Sequence, residues 1–84
     1  MKVIASFKSK KQMISFDIQL RKIGINTRVI PTPSVIALGC GTSIEIDDRD
    51  LGAAKDVINA GKFTAFEGFY GIFEQNGRRK IKKM

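Results

Sequence analysis

Residues 9–24, SKKQMISFDIQLRKIG, decide how this chain folds. Ser9 followed three residues later by Gln12 is a capping-box pattern, in which the serine hydroxyl takes up a backbone N–H of the first helical turn. Met13, Phe16, Leu20 and Ile23 then recur at helical spacing as one apolar stripe, and Gly24 suits the left-handed stop. Just upstream, KVIASF (residues 2–7) has the length and β-branched content of a short strand. Downstream, residues 25–30 alternate Ile25, Thr27 and Val29 against Asn26, Arg28 and Ile30, which predicts a second strand. Pro31 and Pro33 end it, because proline offers no ladder donor and restricts its predecessor.

The run PTPSVIALGCG (31–41) therefore reads as a long connection. Thr42–Asp47 alternates again, with Ile44 and Ile46 facing a core and Ser43, Glu45 and Asp47 on a wet face. Asp47 or Asp48 is placed to cap a second helix to about Ala60, with Leu51, Ala54, Val57 and Ile58 as its stripe and Gly61 as its stop. The nearby acids Asp47, Asp48 and Asp50 lack the spacing of a calcium loop, so capping is their expected work. Residues 63–73, FTAFEGFYGIF, form a fourth strand with a bulge or bend at Gly68 and Gly71. Asn76-Gly77 signals a turn before a basic end.

The order βαββαβ predicts an α+β fold: a ferredoxin-like sandwich with a four-stranded antiparallel sheet and both helices on one face. The 84 residues make one domain over 1–77, and 78–84 read as a disordered basic tail. The net charge of +7 is concentrated there. Residues 1–77 hold ten basic and eight acidic side chains, so the folded part is nearly balanced at +2.

Composition removes much of enzyme chemistry. With no histidine and a single cysteine there is no histidine general base, no Cys/His zinc cluster and no intrachain disulfide. No metal and no cofactor are expected. Lys2 and Lys8 bracket only five uncharged residues, too few for a signal-peptide core, and no run is long enough to span a membrane. A lone thiol then fits a reducing cytoplasm.

Cys40 lies between Gly39 and Gly41. Two glycines let the backbone reach positive φ and leave the sulfur unshielded, and consecutive N–H groups in such a turn favour an anion. In the expected topology the loop lies beside the start of the first helix, where Ser9, Lys10 and Lys11 add their fields to the positive end of the helix. Half-ionising a thiol at pH 7 requires a shift of about 1.5 units, or about 2 kcal/mol, more than one helix end supplies. Helix and lysines together would be needed. The competing reading is a buried, purely structural cysteine, and both remain open on these residues alone.

The run PTPSVIALGCG, flanked by apolar strands, resembles the signature of a family of small bacterial selenium/sulfur carrier-like proteins. Their pattern is a Pro-x-Pro followed by a short segment ending in Cys-Gly, which Pro31, Pro33, Cys40 and Gly41 match, while Phe7 and Ser9 match an aromatic shortly before Ser or Thr at the first helix. The similarity covers most of residues 2–60. It departs where Ser34-Val35 replaces a common Arg-Glu pair and where Leu38-Gly39 replaces small hydroxyl residues. The resemblance implies that Cys40 bears sulfur or selenium as a persulfide-type adduct, with Pro31, Pro33, Gly39, Gly41, Ser9, Lys10 and Lys11 shaping the loop and favouring the anion. It also implies donor and acceptor proteins, and a carrier or accessory protein rather than a stand-alone enzyme.

The alternative from another class is a small RNA-binding module, since the same element order displays base-stacking aromatics on an open sheet. Phe63, Phe66, Phe69, Tyr70 and Phe73 with the basic tail supply the material, but Glu45 and Asp47 would repel phosphate. Nucleic acid is therefore disfavoured as a partner, and so is a membrane surface, for which Ile81 and Met84 provide little apolar anchoring. A homodimer through the sheet is the expected use of any aromatics left outside the core.

Overall fold

The computed structural model describes residues 1–36 and 41–84. The elements are β1 (Lys2–Phe7), α1 (Lys10–Lys22), β2 (Arg28–Pro31), a short 3-10 turn (Ser34–Ile36), β3 (Thr42–Asp47), a second 3-10 turn (Asp48–Asp50), α2 (Leu51–Ala60), β4 (Phe66–Gln75) and β5 (Arg78–Lys83). The fold is α+β, with one antiparallel sheet in the order β2-β3-β1-β4-β5. Both helices contribute to a single core cluster on one face of that sheet.

Two expectations are corrected. The sheet has five strands rather than four, and the basic end expected to be disordered runs Arg78–Lys83 as β5 against β4. The cause lies in the turn. Gln75 pairs with Arg78 across a two-residue loop in which Asn76 and Gly77 both have positive φ, 54° and 73°. Such a turn twists in the sense the strands require, so it closes a hairpin even though β5 has almost no apolar content.

Helix α1 is bounded as its residues dictate. Ser9 Oγ accepts from Gln12 N at 3.2 Å. At the other end Gly24 (φ 85°) sends its N–H to Arg21 O and Ile25 sends its own to Leu20 O, the paired bonds of a left-handed cap. Ile25 thus belongs to the cap and to the core, which delays β2 to Arg28. Gly61, by contrast, ends α2 in an extended conformation. It must be glycine because a Cβ there would sit 2.4 Å from the Phe63 ring.

The core is built from Val3, Ala5 and Phe7 of β1, Met13, Phe16 and Leu20 of α1, Ile44 and Ile46 of β3, Ala54 of α2 and Phe69 of β4. Phe7 is its hub, with ring centroids 5.2 Å from Phe16, 5.3 Å from Phe66 and 5.9 Å from Phe63. Phe66 and Phe69 are three residues apart and would face opposite sides of a regular strand. The ladder avoids this. Ser6 pairs with Gly68 and Phe7 with Phe66, leaving Glu67 as an extra residue, so both rings reach the core. Gly68 absorbs the distortion at φ 140°.

The opposite face is less open than the alternation of β3 suggests. Ile4, Ser6 and Ser43 are fully buried there, and Ile36 is buried outside the main cluster. Thr32 Oγ1 lies 2.6 Å from Ser43 Oγ, so the chain leaving β2 turns back over the start of β3 on this face. No helix among the described residues is long and apolar enough to cross a membrane.

Candidate functional site

Cys40 and Gly39 lie outside the described residues, so the site is framed by the chain that enters and leaves the loop. On the entry side, Pro31 pairs with Thr42 at the last rung of β2 and β3. Thr32 N donates to Gly41 O at 2.9 Å, which ties the two ends of the loop together. Pro33 is half-buried and its carbonyl accepts from Ile36 N at 2.9 Å, starting the 3-10 turn that buries Ile36. On the exit side Gly41 is exposed, with nothing within 4 Å of where a Cβ would stand.

The exit side also touches the first turns of α1. Thr42 Oγ1 donates to Met13 Sδ at 3.3 Å, and Met13 N is bonded to Ser9 O. Thr42, the first residue of β3, is thereby brought against the first turn of α1. Ser9 itself is engaged in capping, so its role is structural as well as positional. Lys10 and Lys11 are exposed in the first turn, which contains no acidic residue. Two cations at the positive end of a helix are unfavourable for the helix alone, and they create a field that attracts an anion.

Lys11 and Ser9 also line a cleft of about 380 Å³ with Gln12, Ser15, Gln19, Lys62 and Phe63. Gln12 ties this cleft to the α2–β4 connection. Its Oε1 accepts from Ala65 N at 2.8 Å and its Nε2 donates to Thr64 Oγ1 at 3.0 Å. The capping box is thus half-formed, because Gln12 reaches across to the α2–β4 connection instead of back to Ser9. Three residues escaped the sequence reading: Thr32, Thr42 and Ser43, which hold the loop's two ends. The only signal in the sequence was a threonine enclosed by Pro31 and Pro33.

Asp47, Asp48 and Asp50 act at the other end of the molecule. Asp47 Oδ1 accepts from Arg49 N at 3.2 Å, and this bond, with a further one from Asp48, holds its carboxyl below the usual carboxylate range. Asp48 pairs with the amino terminus at 3.6 Å, and Asp50 flanks α2 without a side-chain cap. Among the described residues no group of three or more potential ligands is gathered for a metal ion.

The RNA-binding alternative loses its platform. Phe63, Phe66 and Phe69 pack in or against the core. The centre of the opposite face is covered at Ile4, Ser6 and Ser43. Tyr70 is the aromatic left on that face, where it pairs with Ile4 and Lys83.

Residues 2–70 match a family model described as "Putative Se/S carrier protein-like". That span contains the whole Pro31 to Gly41 loop and stops before the β4–β5 turn. Neither a curated protein nor a solved structure matches the chain.

Proposed function

The chain belongs to this Se/S carrier protein-like family, and from that membership we propose that Cys40 carries sulfur or selenium as a persulfide or selenopersulfide. The observation that carries the reading is a count. A family with this chemistry needs a nucleophilic sulfur, and the chain has one cysteine, inside the matched span.

The transfer balances without a cofactor or a general base. The Cys40 thiolate attacks the terminal sulfur of a donor R–S–SH, forming Cys40–S–SH and releasing R–S⁻. An acceptor thiolate later attacks the same terminal atom, and Cys40 leaves as thiolate. For selenium the terminal atom is Se and the steps are unchanged. The reaction asks the protein to hold an anion twice, once before loading and once on release. Lys10 and Lys11 on an α1 terminus free of acids supply that field, and Gly41 leaves room beside the loop.

In this reading Pro31, Pro33, Gly39 and Gly41 shape the loop, and Ser9 fixes the helix end that faces it. Two helices on one face and the strand order β2-β3-β1-β4 support a ferredoxin-like unit, extended by β5. The protein acts as a carrier between a donor and an acceptor protein in a reducing cytoplasm, where the thiol stays free. Tyr70, Ile72 and Ile81, side by side on the sheet face away from the helices, offer a surface for a homodimer.

The test is loading in vitro. The reduced protein is incubated with glutathione persulfide, freed of small molecules, and weighed intact. The wild type gains one sulfur and passes it to a dithiol acceptor, whereas Cys40→Ala gains none. A wild type that stays unmodified while its thiol still reacts with iodoacetamide overturns the proposal.

A further inference from the structure

We propose that β5 is a docking edge for an extended acidic segment of a partner protein, which adds to the sheet as a sixth strand. The proposal does not depend on the chemistry at Cys40. It starts from where the family match ends. Residues 2–70 cover every element through the first half of β4, so the Asn76-Gly77 hairpin and β5 lie beyond it. This added strand holds Arg78, Arg79, Lys80, Lys82 and Lys83, while residues 1–77 have a net charge of only +2.

Three properties make β5 more than a solubilising end. First, it is the outermost strand of the sheet, so one side of its backbone has no neighbouring strand among the described residues. Secondly, its five cations are exposed, and none forms an ion pair among the described residues. Thirdly, the pairing register sorts them by face. Arg78, Lys80 and Lys82 lie with Gln75, Phe73 and Gly71 on the helix side, and Arg79 and Lys83 flank half-buried Ile81 on the other.

The register selects the partner. Cations on one face recur about every 7 Å, the repeat of alternate residues in any strand. An incoming strand with carboxylates at alternate positions sets one beside each of Arg78, Lys80 and Lys82, while its intervening apolar residues meet Ile81. A second copy of β5 is refused, because antiparallel self-pairing sets cation against cation. Nucleic acid fits poorly, since it cannot continue the backbone ladder.

The experiment uses the full chain and a labelled peptide alternating Glu and Val, with an alternating Lys and Val peptide and a uridine oligonucleotide of equal charge beside it. Fluorescence anisotropy at low salt reads binding, and amide hydrogen exchange reads the ladder. The acidic peptide binds, slows exchange in 78–83, and loses roughly tenfold in affinity with Lys80→Glu/Lys82→Glu. Lys80→Gln/Lys82→Gln, which adds no repulsion, gives a smaller loss in the same direction, and circular dichroism checks that both variants are folded. Failure of the acidic peptide to bind, or binding without protection of 78–83, overturns the proposal. So does an oligonucleotide that binds more tightly than the peptide.

Discussion

Reversing one charge at the start of α1 separates what Lys11 does for the helix from what it does for the thiol. Lys11 is exposed in a first turn without an acidic residue, and Ser9 caps that turn through Gln12 N. Lys11→Glu replaces an unfavourable charge at the positive helix end by a favourable one, a gain of about 1 kcal/mol. In a domain of this size that raises Tm by roughly 4–8 °C. The thiol responds in the opposite direction. Cys40 is two residues from Thr42, a reach of about 7 Å, and Thr42 touches Met13 one turn into α1. The proposed function requires the thiol to sit on the order of 10 Å from the Lys11 charge, and at that distance, with an effective dielectric between about 40 and 80, each unit charge contributes about 0.4–0.8 kcal/mol. A change of two units raises the thiol pKa by about 1 unit at low salt and by about 0.3 unit at ~0.1 M, where screening over one Debye length removes most of the effect. Alkylation rates across pH, read by intact mass at both salt concentrations, give the shift directly, and a thermal melt gives the stability. A variant that becomes more stable while its thiol titrates unchanged at low salt refutes the link between α1 and Cys40.

Other outcomes follow from particular residues. Gly24→Ala places a Cβ in open space but at φ 85°, so it costs about 1 kcal/mol through the backbone alone, seen as a lower urea midpoint. Asn76→Ala/Gly77→Ala removes both residues that tolerate positive φ in the hairpin loop, so amide protection falls in 78–83 while β1 and β3 keep theirs. Because the carboxyl of Asp47 titrates below its ordinary value of 3.8 in the folded chain, its contribution is present above that value and is lost as pH falls through the lowered one. Asp47→Asn therefore flattens the acid limb of a stability profile, measured by urea melts at successive pH values.

The sequence revealed most where one residue answers one local demand. Ser9 caps α1, Gly24 takes the left-handed conformation, and the alternation of 42–47 gives β3 its observed limits. It was misleading where a pattern crossed a boundary. Ile25 alternates with Thr27 and Val29 yet packs as the last residue of a helix cap, so β2 is shorter than its apolar run. Phe63 looks like strand and instead packs against the core from the connection, its carbonyl accepting from Phe66 N at 3.1 Å. β5 was hidden because a strand specified by its turn needs no apolar face of its own. At the candidate site the helix end and its lysines were legible, because capping and charge are local. The ties between Thr32 and Gly41, Thr32 and Ser43, and Thr42 and Met13 were not, since each joins residues that only the folded chain brings together.

The most direct measurement is the intact mass of the protein isolated from its own cell without reductant. An addition of about 32 or about 79 mass units, released by dithiothreitol and mapped to Cys40, is the result the carrier reading predicts. A mass that is always that of the bare chain, from cells grown with sulfur and selenium in supply, contradicts it.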